Sequence, residues 1–242
     1  MSLIHTEMDP MILTEENALG YEVQAHGFKW EKQLLQQVYH ATGEELKSIG
    51  YTCPHDLPSH LNRLDGSNLS IKTTGKANTV CMADVSRVFD SVSSGEPIHL
   101  VVIHYLQKGH TKSIVSIIEM NLTNSKELLF GSLTRLQVEE LDALVKLVPS
   151  KRKPTQEEKN TQKRLRDSLQ ALSGAIYFNI KCNSTQSRLQ CSFNQFQEFI
   201  KKNPERVVAR SDSHEFRGGS IDPDIVSRRR ILKPKVEHLT LD

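Results

Sequence analysis

Apolar residues recur along Phe28 to about Ile49 as Trp30, Leu34, Leu35, Val38, Tyr39, Leu46 and Ile49. That is the spacing of one helix face, with Gly43 as the point where the helix can break. Leu69–Thr73 reads as a short strand: Leu69 and Ile71 share one face, Ser70 and Lys72 the other. A turn at Gly75–Asn78 leads into an apolar segment from Thr79 to about Val92. Ile98–Leu106 is the strongest strand, too apolar for a wet face. After a turn at Lys108–Thr111 the chain returns as Ser113–Leu122, which predicts a hairpin. Thr134-Arg-Leu-Gln137 and Thr155-Gln-Glu-Glu158 have the capping-box layout, predicting helices to about Val148 and Leu172 across a basic Pro149–Pro154 linker. Strands over Ala175–Cys182 and Arg188–Phe193, joined by a polar turn, precede a short helix over Asn194–Lys202. Beyond that, periodicity fades. The order predicts an α/β (α+β) domain over 21–205 with a mixed central sheet flanked by helices. A loose tail over 1–20 and a basic extension over 206–242 complete the expected organisation.

The 242 residues are 37% hydrophobic and 25% charged, the balance of an ordinary soluble protein. No apolar run approaches the about 20 residues of a membrane span. The first residues lack the layout of a secretion signal. A cytoplasmic, intracellular protein with no membrane partner is expected. Cys53, Cys81, Cys182 and Cys191 are too scattered for a zinc site. They read as reduced thiols. Net charge is +2, but Lys151, Arg152, Lys153, Lys159, Lys163, Arg164 and Arg166 stand against only Glu157 and Glu158. A second basic cluster is Arg228-Arg229-Arg230 with Lys233 and Lys235. Local patches of this kind suffice for phosphate binding.

Candidate chemistry centres on Asp65 to Lys72. A carboxylate and an ammonium held together on a strand edge are the minimum apparatus for metal-assisted phosphodiester hydrolysis. Hard oxygen ligands hold Mg²⁺, the ion activates water, and a lysine stabilises developing charge. Asp65 also suits an Asp-Gly turn former. Glu31, Asp84 and Asp56 are the further carboxylates that could join Lys72. Asp84 lies in an apolar segment and needs a partner, with Arg87 the simplest one. The hairpin over 178–193 places Asn179 and Lys181, and Arg188, Gln190 and Ser192, on one face. Arg reads guanine and Gln or Asn reads adenine in the major groove, which admits a two-stranded ribbon. His99 and His104 lie in an apolar strand and read as satisfied core histidines. No nucleophile elbow, phosphate-cradling glycine loop or dinucleotide fingerprint is present.

Taken together, Trp30-Glu31 on a helix, the Asp65 turn, Ser70-Ile71-Lys72-Thr73-Thr74 and the Lys181…Arg188-Leu-Gln190-Cys-Ser192 hairpin resemble the PD-(D/E)xK nuclease superfamily. Within it they resemble the type II restriction endonucleases. The resemblance implies Mg²⁺-dependent, sequence-specific cleavage of double-stranded DNA by a homodimer. It makes Lys72 the motif lysine, Asp65 the first aspartate and Glu31 the helical glutamate. Asp65, Asp84 and Glu31 become candidate metal ligands, and Thr73, Thr74, Asn179, Lys181, Arg188, Gln190 and Ser192 candidate DNA contacts. Ser70 stands where the motif has its second carboxylate, and the interval from Asp65 to Lys72 is short. Either Asp84 or Glu31 supplies the missing carboxylate, or Asp56 is the true first aspartate, or the site is inactive. A non-catalytic nucleic-acid-binding module is the alternative from another class, and a protein-interaction domain is a third.

Overall fold

The computed structural model describes residues 27–50, 53–149, 151–182 and 187–226. The expected tail over 1–20 and the cluster from Arg228 to Lys235 lie outside the described residues, as do residues 183–186 of the hairpin turn.

At the centre are β3 (Ile98–Lys108) and β4 (Thr111–Asn121), an antiparallel pair joined by a two-residue turn. Gly109 takes the first turn position at φ +58, the left-handed backbone that tight hairpins require there. Both faces of β3 are buried. Leu100 and Val102, with Ile118 and Met120 of β4, face one core; Val101 and Ile103, with Ile117, face another. Each such side chain contributes about 1.5–3 kcal/mol by leaving water. The absence of a wet face matches the unbroken apolar run.

β1 (Asn68–Thr74) pairs in parallel with β3, from Asn68↔Ile98 to Thr74↔His104. Parallel neighbours need a crossover, which the Thr79–Val92 segment supplies as β2 (Val80–Asp84) followed by α3 (Val85–Ser93). Asp84 caps α3 by accepting from the Arg87 backbone N–H, and Val85, Phe89 and Val92 form the buried stripe. β2 itself leaves the main sheet and pairs antiparallel with β6 (Ser187–Phe193), which pairs with β5 (Ile176–Cys182). The expected two-stranded ribbon is thus a three-stranded sheet. It covers one core together with α3, α4 (Lys126–Phe130), α5 (Arg135–Lys146), α6 (Gln156–Gln170) and α7 (Phe196–Lys202). Both capping boxes form, at Thr134 and Thr155. Where α4 ends, the chain passes so close to the turn before β5 that a Cβ on Gly131 would meet the Leu172 carbonyl oxygen at 2.1 Å.

The opposite core lies under α1 (27–37) and α2 (Gly43–Ser48), with the break over 38–42, just ahead of the Gly43 where it was expected. Its remaining cover comes from beyond residue 205. β7 (Val207–Ser211) and β10 (Asp224–Val226) pair end to end along β4, and between them β8 (Glu215–Phe216) and β9 (Gly219–Ser220) form a small hairpin. The boundary expected at 205 therefore falls inside the sheet, because these strands complete the edge of β4. They escape a periodicity reading because each is too short to show alternation. Gly219 lies against α1, where a Cβ would meet the Gln37 carbonyl oxygen at 2.6 Å.

At the register shift of β2 against β6, Ala83 has φ +107. A Cβ is strained there and glycine is not. Ala83→Gly is expected to raise stability by about 1 kcal/mol, read as a higher urea midpoint at unchanged m-value.

Candidate functional site

α1 turns Trp30, Leu34, Leu35 and Val38 inward. Its lateral position is fixed by one residue of the C-terminal segment. Asp222 accepts from Trp30 Nε1 through its carbonyl (2.8 Å) and from Gln33 Nε2 through its carboxylate (2.7 Å), and pairs with Lys29 at 2.9 Å. The Trp30 ring also packs on Tyr105, with centroids 5.7 Å apart. This seating brings Glu31 to the open edge of β1.

That edge is closed by the loop before residue 58. Leu57 and Leu69 form an antiparallel bridge, and the Asp56 N–H donates to the Leu69 carbonyl at 2.9 Å. The Asp56 carboxylate takes the next position along the edge: Oδ2 accepts from the Ile71 backbone N–H at 2.6 Å and from Lys72 Nζ at 3.0 Å. Lys72 curls over the edge and also donates to the Ile71 carbonyl at 2.8 Å. Burial, and then the nearby Asp56 carboxylate, push the Glu31 carboxyl up to about 7, with the Lys72 ammonium opposing. Two carboxylates crowd one partly desolvated edge with a single ammonium between them. A divalent cation relieves such crowding, and hard oxygens are its ligands.

Of the expected catalytic group, Glu31 and Lys72 both lie close to Asp56. Ser70 and Lys72 line a cavity with His55, Asp56, Met82 and Arg87. Asp65 makes its contacts elsewhere. It serves its own turn, accepting from Asn62 Nδ2 (2.8 Å) and Ser67 Oγ (2.7 Å), and it meets Arg217 Nη1 at 2.7 Å. Burial works against its charged form, but the Ser67 and Arg217 hydrogen bonds outweigh it and hold the carboxyl below its usual range. The Asp84 carboxylate caps α3, and its partner is the Arg87 backbone rather than the guanidinium. Thr74 is structural too, its hydroxyl donating to the Thr79 carbonyl at 2.7 Å. Thr73 lies beside Gly27 at the start of α1.

The proposed base-reading residues do share one face, now of a three-stranded sheet. Gln190 and Ser192 are buried, and Asn179 Nδ2 donates to Ser192 Oγ at 2.9 Å. Lys181 and Arg188 oppose each other across the pair. At the margin of this face Arg166 stacks over Tyr177 at 5.9 Å. Three of the seven basic residues over 151–166 form ion pairs: Arg152 with Glu158, and Lys163 and Arg166 with Asp167.

A second charged cluster was not foreseen. His99 Nδ1 lies 2.7 Å from Glu119 Oε1, and Arg217 Nη1 donates to Glu119 Oε2 at 2.7 Å and to Asp65. Glu119 is fully buried, and its burden holds the adjacent buried Tyr39 phenol well above its ordinary range, after burial itself. A carboxylate inside the apolar run of β4 was the available signal, because it demands a partner. Asp65, His99 and Glu119 offer ligand atoms within 4.8 Å of one another. The Arg217 guanidinium, however, already bridges both carboxylates, so a cation is not what this cluster needs.

The chain matches no protein-family model, no curated protein and no solved structure. Among the described residues no helix is long and apolar enough to cross a membrane.

Two stability measurements separate the clusters. Glu31 is raised from 4.5 to about 7 in the folded state, so its favourable contribution is complete below pH 4.5 and lost as pH rises to about 7. Glu31→Gln should equal wild type near pH 4.5 and exceed it by at most about 3 kcal/mol at pH 8, in metal-free urea melts. Arg217→Ala should cost about 3–5 kcal/mol at neutral pH, because it strands the Glu119 charge in the core.

Proposed function

We propose that the protein is an Mg²⁺-dependent deoxyribonuclease that hydrolyses phosphodiester bonds in double-stranded DNA. Glu31 and Asp56 would hold the ion, and Lys72 would orient the attacking water. One observation carries this reading: a half-buried glutamate, its carboxyl pushed up to about 7, lies beside an aspartate whose Oδ2 is 3.0 Å from a strand lysine. The resemblance to restriction endonucleases supports it, with Asp56 rather than Asp65 in the role of the first aspartate.

Each residue has a definable part. Asp56 is fixed through Oδ2 by the Ile71 N–H, which leaves Oδ1 to face a ligand. Lys72 has three N–H donors and uses two, on Asp56 and the Ile71 carbonyl. The third can hold a water in line with a phosphorus atom and stabilise the oxygen charge that develops. Glu31 must lose its proton before it can serve as a ligand. Bound between these oxygens, the ion would supply Lewis acidity and lower the pKa of water. Ser70, with no charge to give, stands in the motif's second acidic position and leaves that part to Glu31. Sequence-specific cutting by a homodimer, with the sheet face bearing Lys181, Arg188 and Gln190 toward the bases, belongs to the same reading.

Plasmid DNA incubated with protein and Mg²⁺ should yield discrete fragments, and EDTA should stop the reaction. Asp56→Asn and Lys72→Ala should each lower the rate by about 10²–10³-fold, whereas Asp65→Asn should stay within about tenfold of wild type. Cutting should increase as pH passes upward through 7, as Glu31 ionises. Unchanged cutting by Lys72→Ala, or no cutting by wild type with Mg²⁺ or Mn²⁺, would sink the proposal. Duplex binding that persists in EDTA without any cleavage would favour the non-catalytic module.

A further inference from the structure

The cavity beside Lys72 runs between the loop at 53–56, the edge of β1 and the first turns of α3. Its inner wall is apolar, built from Met82, Val88 and Leu100, while its other lining side chains include two cations, Lys72 and Arg87. Lys72 is answered by Asp56 at 3.0 Å. Arg87 is not answered: its guanidinium makes no ion pair or hydrogen bond among the described residues. Arg63, Arg135, Arg152, Arg166, Arg206 and Arg217, by contrast, all bond through theirs. The second unmet group is His55, whose Nδ1 is buried without a partner. An unpaired buried ring nitrogen costs about 1–3 kcal/mol unless something fills its place.

An unpaired guanidinium and an orphaned imidazole nitrogen thus line one space. That space shares Asp56 and Lys72 with the proposed cleavage site. Asp56, the carboxylate in the lining, has Oδ2 bound to Ile71 and Lys72. A planar fork and a separate donor suit an oxyanion with several oxygens, and guanidinium pairs with phosphate through two parallel hydrogen bonds. A cavity with an apolar back limits the ligand to a compact group.

We infer that this cavity seats a phosphate group of the nucleic-acid strand, held by the Arg87 guanidinium and by His55 Nδ1, next to the phosphate that Lys72 faces. The identity of the strand rests on the nuclease reading; the anion site does not. Phosphate contacts of this kind position a backbone without reading sequence. Arg87 is therefore a positioning residue, and its loss should weaken all sequences alike.

The test has two binding readouts, neither of which needs cleavage. Anisotropy of a labelled duplex in Ca²⁺ is followed over a range of salt for wild type, Arg87→Ala, Arg87→Lys and His55→Gln. Arg87→Ala should raise Kd about tenfold and flatten the log–log salt slope by about 0.9, the loss of one phosphate contact. Arg87→Lys should restore the slope but not the full affinity. Inorganic phosphate should show ³¹P line broadening with wild type and little with Arg87→Ala. Because Arg87 is exposed, its variants should melt with wild type, which keeps the comparison interpretable. If Arg87→Ala leaves duplex binding and slope unchanged but removes the ³¹P broadening, the cavity holds free phosphate and the strand assignment is wrong. If neither readout responds, the pocket is overturned. If both respond and the wild type never cuts DNA, the nuclease reading falls and the phosphate site stands.

Discussion

β3 and β4 are buried on both faces, and the other elements take their places from that constraint. Two faces out of water demand two covering layers, so helices and a second sheet gather on one side and α1 with the C-terminal strands on the other. The constraint also governs the polar residues the strands carry. His99 and Glu119 point into one of these layers and can be there only because they meet each other and Arg217. The hairpin that carries Arg217 is therefore fastened by the same burial that gives the sheet its stability.

The two charged clusters answer their burial differently. At Glu119 the carboxylates are matched by a guanidinium, and the result is a closed, self-sufficient knot. At Glu31 the match is incomplete: the carboxylates of Glu31 and Asp56 lie near one ammonium, and the Glu31 carboxyl is pushed up to about 7. Folding alone gains nothing from that arrangement. Sites that bind ions accept such destabilisation, because the ligand supplies what the fold withholds. Arg87 and His55, which line one cavity with Asp56 and Lys72, are left open in the same manner.

Much of the architecture is written in periodicity. The α1 stripe, the β3–β4 run, both capping boxes and the β5–β6 alternation depend on neighbours within one or two turns, and all are present. The four strands after residue 206 are legible only through their partner, β4, because two to five residues hold too little pattern. At the site, Lys72 and Glu31 were legible as residue types in context, whereas the choice between Asp56 and Asp65 was not. Both lie in polar loops before β1, and what separates them is a single antiparallel bridge at Leu57 that threads Asp56 along the open edge. Ten histidines gave no pattern, yet His55 gains meaning from being enclosed, which no spacing rule conveys.

Asp222 has a consequence in time. The residue that grips Trp30 and Gln33 lies 192 and 189 positions downstream of them. A ribosome delivers α1 long before the clasp that holds Trp30 and Gln33, which arrives only when nearly all the described chain has been made. During synthesis α1 lacks the contact that seats Glu31 beside Asp56 and Lys72. In an emerging chain the juxtaposition of Glu31 with Asp56 and Lys72 would thus arrive with the last strands rather than with these residues themselves.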